Sequence, residues 1–560
     1  MGSEYVLTSK ISATCAAPTD RIVAYNPIPC DASECQANLQ IGIFFDGTKN
    51  NMEKDEPGLS ETNIARLFSL YPVARDAKIQ KKYISGVGTR LVEISEKEET
   101  KFGSAFATGG YARVLLAMLW VLNYISMRVL NKQIFSAEQI KGLCSEDRSG
   151  PIPAALQRLG RDDGLMGYEG SEVGRNNFFF AQAKILEESI VASGVKVSEC
   201  ILDVFGFSRG AAQARVFCSW IESLTIDGKL AGVPVTFRFL GIFDTVASAG
   251  IVASIGGAIV NSTGGHNGWA KVKYLRVSSR VKTCVHMVAM HELRKNFPLD
   301  EVSVDGIIPL NCREVAYPGA HSDVGGGYAP GALGLACDMP IASADSQKLS
   351  QVPLRHMLDC AIAAGVPLPK KSDERFAVSA ALAKAYNDFL DISDSKPKML
   401  SEWMAPYMAW RWQRRNQFEQ LGHVKRATED RRHLIESNEQ MMKDARKLGL
   451  KGDEELAKKF VGLARTVKTF DMKHPEYRQE DLATLDPEAP HVIASARAAA
   501  PVPPELAEFF DTYVHDSLAG FRKDLVERTG YWRYRRAFRG NDRPQLTKND
   551  ESHPKTETTA

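Results

Sequence analysis

Residues 201–220 (ILDVFGFSRGAAQARVFCSW) contain the pattern G-x-S-x-G, formed by Gly206, Ser208 and Gly210. Apolar residues precede it and a proline-free segment with helical spacing follows it, so we expect the serine on a sharp turn between a strand and a helix. Such a turn strains the backbone, and a side chain at either glycine would collide with it or with a neighbouring strand. The start of a helix also stabilises negative charge that develops nearby. The pattern therefore predicts a nucleophile elbow, with Ser208 as the nucleophile of an acyl transfer.

A serine hydroxyl needs an adjacent base, usually a histidine that a carboxylate orients. Residues 314–328 (EVAYPGAHSDVGGGY) place His321 after a strand-like segment and a Pro-Gly turn, and glycines follow it. Loops at strand ends often carry catalytic residues, so His321 is the predicted base. His515, in VHDSLAGF, is its rival, and a structural loop role for His321 stays open. His286 and His291 flank a segment that we interpret as an apolar helix, which makes them weaker candidates.

The predicted acid is Asp244, which ends the apolar strand of residues 235–244 (VTFRFLGIFD). A carboxylate at the end of a strand beside the nucleophile strand can reach the histidine ring. Asp323 and Asp516 remain alternatives.

A further strand ends in Asp46-Gly47-Thr48, within residues 41–51 (IGIFFDGTKNN). Backbone amides near Gly47 could donate to an oxyanion together with the amide of Arg209. Asp46 could instead hold the loop by capping nearby amides. Carboxylates at metal-ligand spacing, an H-E-x-x-H pattern and an EF-hand pattern are all missing from the sequence, so no metal or cofactor is predicted.

These side chains can meet only in a fold that places the ends of several strands close together. Short apolar runs alternate with helical stretches up to about residue 345, which predicts an α/β fold with a mainly parallel sheet, helical insertions and a largely helical C-terminal region. The predicted strands are 39–45, 82–85, 201–205, 235–243 and 314–317, and the predicted helices are 63–70, 112–127, 177–192 and 209–224.

Beyond this core, residues 399–470 have a helical pattern with early aromatics, at Trp403, Tyr407, Trp410 and Trp412, and basic residues later. A charge-free, glycine-rich stretch at 245–265 is interpreted as an apolar flap, with a buried packing segment as the alternative. We expect both regions to contact a membrane interface. The predicted divisions are an N-terminal extension 1–38, a catalytic core 39–345, a helical membrane-interaction or lid module 346–499, C-terminal helices 500–539 that pack back on the core, and a disordered tail 540–560.

The composition excludes several classes of protein. The 560 residues are 44% hydrophobic with a net charge of +2, too balanced to indicate a nucleic-acid binder. Ten cysteines without a CxxC pair do not suggest a zinc ribbon or a disulfide scaffold, and we expect reduced, mostly buried thiols. The first residues lack the apolar region of a secretory signal. The apolar run 114–125 is short for a membrane span and predicts a buried helix.

Three runs together, FFDGTKNN, GFSRGAAQAR and YPGAHSDVGGGY, resemble the lipase effectors of bacterial type VI secretion. The resemblance covers roughly residues 39–330, and GYWRYRRAFR near the C-terminus looks like that family's carboxyl end. It implies an α/β-hydrolase-like core and phospholipase A1 or A2 activity on bacterial membrane glycerophospholipids. It also implies that Ser208, Asp244 and His321 occupy the positions of a catalytic triad.

The resemblance further implies synthesis in the cytoplasm without a cleaved signal, delivery to the periplasm of a target cell, docking to a VgrG-type spike protein, and neutralisation by an immunity protein. Contact with the membrane would be peripheral. Two other classes stay open. One is a soluble esterase, thioesterase or peptidase on the same scaffold, because a fold does not fix a function. The other is a non-enzymatic interaction module.

Overall fold

The computed structural model describes residues 5–7, 10–11, 36–74, 78–99, 109–144, 172–247, 266, 268–370, 374–393, 396–448, 488–521 and 531–540. The predicted flap lies outside the described residues from 248 to 265. So do most of the N-terminal extension, residues 449–487 of the helical module, and residues 541–560 of the tail.

The alternating pattern of the core produces a parallel sheet. Within the described residues the strands are β1 (Val6–Leu7), β2 (Gln36–Phe45), β3 (Ile79–Ile84), β4 (Lys196–Phe207), β5 (Lys229–Leu230), β6 (Val233–Phe243), β7 (Val281–Ala289), β8 (Leu299–Asp300), β9 (Cys312–Tyr317) and β10 (Ala537–Phe538). The main sheet has the order β1-β9-β7-β6-β4-β2-β3, and all of these neighbours are parallel. β5 pairs antiparallel with β6, and β8 pairs with β10 in a separate parallel ribbon. The predicted α/β fold class is confirmed.

The helices follow the helical stretches of the sequence. In the described part of the chain they are α1 (Met52–Asp55), α2 (Asn63–Leu70), α3 (Gly110–Leu130), α4 (Ala137–Cys144), α5 (Glu172–Ser193), α6 (Arg209–Ser223), α7 (Val272–Leu275), α8 (His321–Gly325), α9 (Ile341–Asp345), α10 (Gln351–Ala363), α11 (Ala380–Ile392), α12 (Leu400–Arg414), α13 (Gly422–Arg426), α14 (Arg431–Leu448), α15 (Ala489–Ala498) and α16 (Pro504–Tyr513).

Apolar side chains cover both faces of the sheet, as a parallel sheet requires. Along β2, Ile41, Ile43 and Phe45 join a buried cluster with α3, α5 and α6. Phe44, between them, points to the other face and joins a second cluster with α2, α10 and the helices of the helical module. Helices from residue 351 onward therefore pack on one face of the parallel sheet.

Helix α3 is long and apolar enough to cross a membrane by length and composition, with a mean hydropathy of 1.5 in its most apolar window. However, 72% of that window is buried inside the protein, where α3 packs against α5 and α6. The buried helix predicted at 114–125 is thus confirmed. The thiols also agree with the prediction: in the described part of the chain seven cysteines are free and six of them are buried.

Two predicted helical segments are wrong. The residues around His286 form strand β7 rather than an apolar helix, since Val281, Thr283 and Val285 are β-branched and recur every second residue. Among the described residues of the C-terminal helices predicted at 500–539, the helix ends at Tyr513. Residues 531–540 are not helical and contribute β10.

The predicted interfacial role of the aromatic residues in α12 is also wrong. Trp403, Tyr407 and Trp410 are all buried and belong to the core cluster beneath the helical module. Their spacing of four and three residues places them on one face of the helix, and that face packs inward. Trp412 is partly buried against the same cluster.

Candidate active site

Ser208 lies on the turn between β4 and α6 with φ 59° and ψ −126°, a conformation that costs a non-glycine residue free energy. A β-carbon at Gly206 would lie 2.4 Å from the carbonyl oxygen of Gly210, and one at Gly210 would lie 2.3 Å from that of Phe45. The Ser208 amide donates a hydrogen bond to the carbonyl of Phe243 (3.0 Å), which ties the turn to the neighbouring strand. Both glycines of the motif are therefore required for the turn.

Asp244 and His321 come together at the carboxyl edge of the sheet. Asp244 directly follows β6, and His321 begins α8 four residues after β9. His321 Nδ1 lies 2.5 Å from Asp244 Oδ2, and both residues are buried. The predicted acid and base are thus hydrogen-bonded across 77 residues of sequence.

The Asp244 carboxylate has three further donors. The amide of Ala289, at the end of β7, donates to Oδ1 (2.8 Å). The guanidinium of Arg535 donates to both oxygens, Nη1 to Oδ1 (2.6 Å) and Nη2 to Oδ2 (2.8 Å). Burial alone would raise the pKa of Asp244, but Arg535 and His321 oppose it and hold that pKa well below its usual value. Because the carboxylate stays ionised, Nδ1 is the protonated nitrogen of His321.

The imidazole of His321 is fixed between aromatic rings. The ring of Phe207 lies 4.5 Å from it, centroid to centroid, and Phe297 packs edge-on at 4.9 Å. Burial lowers the pKa of His321 below its usual value, and the hydrogen bond to Asp244 opposes that shift only in part. This shift favours the neutral imidazole, which is the form that can accept a proton.

Ser208 directly follows Phe207, whose ring packs against the imidazole of His321. In the described residues no hydrogen bond joins the Ser208 hydroxyl to His321. Catalytic hydrogen bonds often tighten only when substrate binds, so a nucleophile–base pair does not require this bond in the substrate-free protein.

The predicted oxyanion loop differs from expectation at Gly47. Its amide donates to Asp46 Oδ1 (2.7 Å), so it does not point at an oxyanion in this conformation. Asp46 also accepts from the hydroxyls of Thr62 and Tyr83, both at 2.5 Å. Burial raises the pKa of Asp46 to about 6. The loop-holding role of Asp46, left open by the sequence, is thus the one that the hydrogen bonds favour.

Arg209, the other predicted donor, is the first residue of α6. Its guanidinium donates to the hydroxyl of Thr48 (3.1 Å). The loop that follows β2 therefore contacts the turn at Ser208 directly.

The alternative histidines are held by other partners. His515 Nδ1 lies 2.5 Å from Asp323 Oδ1, and its ring stacks on Tyr328 at 3.8 Å. His286 Nδ1 lies 2.6 Å from Glu314, and its Nε2 accepts from the amide of Thr245 (3.1 Å). His286 is therefore a satisfied core histidine.

Asp516, the remaining alternative acid, accepts from the hydroxyl of Tyr531 (2.6 Å) and from Arg411 (3.3 Å). It ties the C-terminal segment to α12.

Sequence reasoning missed two residues of this site. Arg535 lies 291 positions after its partner Asp244, and nothing in the spacing connects them. Glu292 accepts a hydrogen bond from the amide of His321 (3.2 Å) and pairs with Arg294 (2.9 Å). Burial would raise the pKa of Glu292, but Arg294 lowers it to about 2. The only available signal was the resemblance of the run around Arg535 to a family's carboxyl end.

Residues 227–360 match the family model described as "T6SS, Phospholipase effector Tle1-like, catalytic domain". The predicted family resemblance is confirmed. The matched segment of this Tle1-like family includes Asp244 and His321 and begins after Ser208.

Solved structures add a likeness of fold. A crystal structure of an uncharacterized protein from Pseudomonas aeruginosa is similar with a TM-score of 0.66 and 26% identity, over 91% of this chain and 80% of that one. The structure of the Tle1 effector bound to the VgrG spike from the Type 6 secretion system matches with a TM-score of 0.33 and 19% identity, over 66% of this chain and 83% of that one. A score that low supports no argument about fold or partners. A search of curated proteins found no significant match.

Proposed function

We propose that this chain is a serine phospholipase, of type A1 or A2, that hydrolyses acyl esters of bacterial membrane glycerophospholipids as an antibacterial effector of type VI secretion. The match of residues 227–360 supports a phospholipase effector of the Tle1-like family. The observation that carries the serine mechanism is the hydrogen bond between Asp244 and His321 beside the strained turn at Ser208.

In the proposed first step, Ser208 Oγ attacks the carbonyl carbon of the fatty-acyl ester while His321 Nε2 takes the hydroxyl proton. Asp244 holds the imidazole in the required tautomer and stabilises the positive charge that it gains. The imidazolium then gives its proton to the leaving lysolipid oxygen. In the second step His321 takes a proton from water as the water oxygen attacks the acyl-serine carbonyl. The imidazolium then gives that proton to Ser208 Oγ as the acyl–oxygen bond breaks, which releases the free fatty acid and restores the serine and the neutral histidine.

The tetrahedral oxyanion needs backbone donors near the serine. We assign one to the amide of Arg209, at the start of α6. The second comes from the loop of residues 46–48. Because Gly47 donates to Asp46 in the present conformation, it serves only if that hydrogen bond opens when substrate binds. The amide of Thr48 is the neighbouring alternative, since its hydroxyl already contacts Arg209.

The biological setting belongs to the same proposal. The effector is made in the cytoplasm without a cleaved signal, docks to a VgrG-type spike, and acts on the membrane of the target cell from the periplasm by peripheral contact. A cognate immunity protein protects the producer. Export of the chain to the periplasm of a Gram-negative host is therefore expected to be toxic, whereas cytoplasmic expression at the same level is not. Equal toxicity of both, or of Ser208→Ala, would argue against this setting.

The enzyme assay compares wild type with Ser208→Ala on phosphatidylethanolamine vesicles and on p-nitrophenyl butyrate, with release of fatty acid and lysolipid as the readout. Ser223→Ala is the matched control, because Ser223 ends the same helix and, among the described residues, its hydroxyl donates to the Trp220 carbonyl (2.8 Å). We expect Ser208→Ala to abolish hydrolysis of both substrates. Hydrolysis of the soluble ester alone by wild type would indicate an esterase, and hydrolysis of neither would indicate an interaction module. Labelled acyl chains distinguish A1 from A2 cleavage.

A further inference from the structure

Arg535 places every nitrogen of its guanidinium on an acceptor around Asp244. Besides the two bonds to the carboxylate, Nη1 donates to the carbonyl of Ala289 (2.9 Å) and Nε to that of Phe297 (3.0 Å). The side chain is 1% exposed. A planar guanidinium that makes four hydrogen bonds fixes the side-chain rotamer of the Asp244 carboxylate, to which it donates two of them.

The segment that carries Arg535 is attached to the core by a backbone ribbon. The amide of Leu299 donates to the carbonyl of Arg536 (2.8 Å), and the amide of Glu301 donates to that of Phe538 (2.9 Å). These bonds pair β10 with β8, directly after Phe297, whose ring packs against His321. The same ribbon therefore supports both members of the acid–base pair.

We propose that Arg535 is a positioning residue for acyl transfer, which fixes the Asp244 carboxylate in the orientation that aligns His321. The inference rests on the proposed function of the site. It extends that function by making the segment of residues 531–540 part of the catalytic centre, although it contains none of the reacting groups.

The charges around Asp244 also support a positioning role for Arg535. Two groups that can carry positive charge face Asp244 directly, the guanidinium of Arg535 and the imidazole of His321 when it is protonated. Glu292 and Arg294 form the next ion pair, beside His321. Without Arg535 the buried carboxylate would lose its permanent cationic neighbour, so the Asp244–His321 pair would take up a proton at higher pH.

The experiment compares wild type, Arg535→Ala, Arg535→Lys and the control Arg536→Ala on p-nitrophenyl butyrate across pH. Arg536 is adjacent in sequence, but its side chain does not bond to Asp244, so Arg536→Ala is expected to match wild type. Arg535→Ala is expected to lose about 100-fold in kcat with little change in KM, as a misplaced catalytic group does. The acid limb of its kcat/KM profile should rise by about one pH unit.

Two further readouts separate positioning from structure. Added guanidinium ion should restore part of the activity of Arg535→Ala and none of that of Ser208→Ala. Arg535→Lys keeps the charge and loses the fork, so its acid limb should stay near that of wild type while kcat falls about tenfold. If circular dichroism shows that Arg535→Ala is unfolded, the activity and pH profile of Arg535→Lys test the inference instead.

Wild-type kcat and an unshifted acid limb in a folded variant would overturn the inference. Such a result leaves the proposed function intact, provided Ser208→Ala is inactive. An active Ser208→Ala would instead refute the proposed function itself.

Discussion

The Asp244 carboxylate has to do two jobs, to accept the Nδ1 proton of His321 and to remain charged while buried. Asp244→Asn keeps the shape but can offer its amide nitrogen to the imidazole, which favours the wrong tautomer. We expect kcat on p-nitrophenyl butyrate to fall about 10³-fold or more. An unchanged melting temperature and circular dichroism spectrum would exclude loss of fold as the cause. Asp305→Asn, at an exposed position, is the control. A variant within tenfold of wild type would remove Asp244 from the mechanism.

The lowered pKa of His321 predicts the pH dependence of hydrolysis. Burial disfavours the imidazolium, so the base is neutral, and therefore competent, down to a pH below the usual value of 6.5. The acid limb of kcat/KM on the soluble ester is expected below that pH, with a plateau at pH 7. An acid limb above pH 6.5 would contradict the assignment of the buried His321 as the base. Circular dichroism at each pH controls for loss of fold, because the activity must fall while the spectrum is unchanged.

At the residue scale, the sequence was informative where the chemistry requires one backbone shape. Ser208 could be predicted because only glycine fits at Gly206 and Gly210, and Asp244 because it ends a strand next to the serine strand. The direction of the Gly47 amide could not, because it depends on the side-chain rotamer of Asp46. Roles for these residues in catalysis remain predictions that the variants test.

At the element scale, predictions succeeded where periodicity and flanking residues agreed and failed where they did not. Helix α2 begins at Asn63 as expected, with the Thr62 side chain accepting from the amide of Ala65. Strand β7 was missed because a buried central strand is apolar on both faces and resembles a buried helix. The C-terminal ribbon was missed because β10 has only two residues, too few for a sequence pattern. These residues form a strand because they pair with β8, which is distant in sequence.

The pair of His515 and Asp323 is expected to hold α8, the helix that starts at His321. Asp323 accepts from the amide of Ala320 (2.9 Å) and from both the amide (3.0 Å) and the ring of His515. His515→Ala should lower the free energy of unfolding by about 2 kcal/mol, the value of a hydrogen bond to a buried charge. Because the base is loosened, kcat should fall by similar factors on vesicles and on p-nitrophenyl butyrate.

His491→Ala is the control for that experiment, because His491 is exposed on α15. An unchanged melting temperature for His515→Ala would show that α8 does not depend on the pair. A loss of activity on vesicles alone would instead show that the pair supports a lipid-contacting surface and not the base.

At the scale of the whole molecule, segments from near both ends of the sequence meet beside the site. Glu301, just after β8, accepts from the hydroxyl of Tyr5 and pairs with Arg539 (3.5 Å). Tyr5 precedes β1, which adds to the sheet edge at β9. The chain thus closes on itself around the loop that contains Phe297, and the order of that loop depends on contacts that are distant in sequence. This closure could not be predicted from local patterns, which carry no information about pairing across hundreds of residues.

Two truncations test how far the molecule depends on this closure. Ending the chain after Phe521 removes Tyr531, Trp532 and Tyr534 from the buried core together with Arg535, whereas ending it after Gly540 keeps them all. Each large aromatic truncated from a core costs about 3–5 kcal/mol, so the shorter chain should lose most of the stability of an ordinary domain. We expect it to melt at much lower temperature and to hydrolyse neither p-nitrophenyl butyrate nor vesicles. The chain ending after Gly540 should match the full chain in melting temperature and activity. A stable and active shorter chain would show that the C-terminal ribbon is dispensable. It would also show that catalysis does not need Arg535.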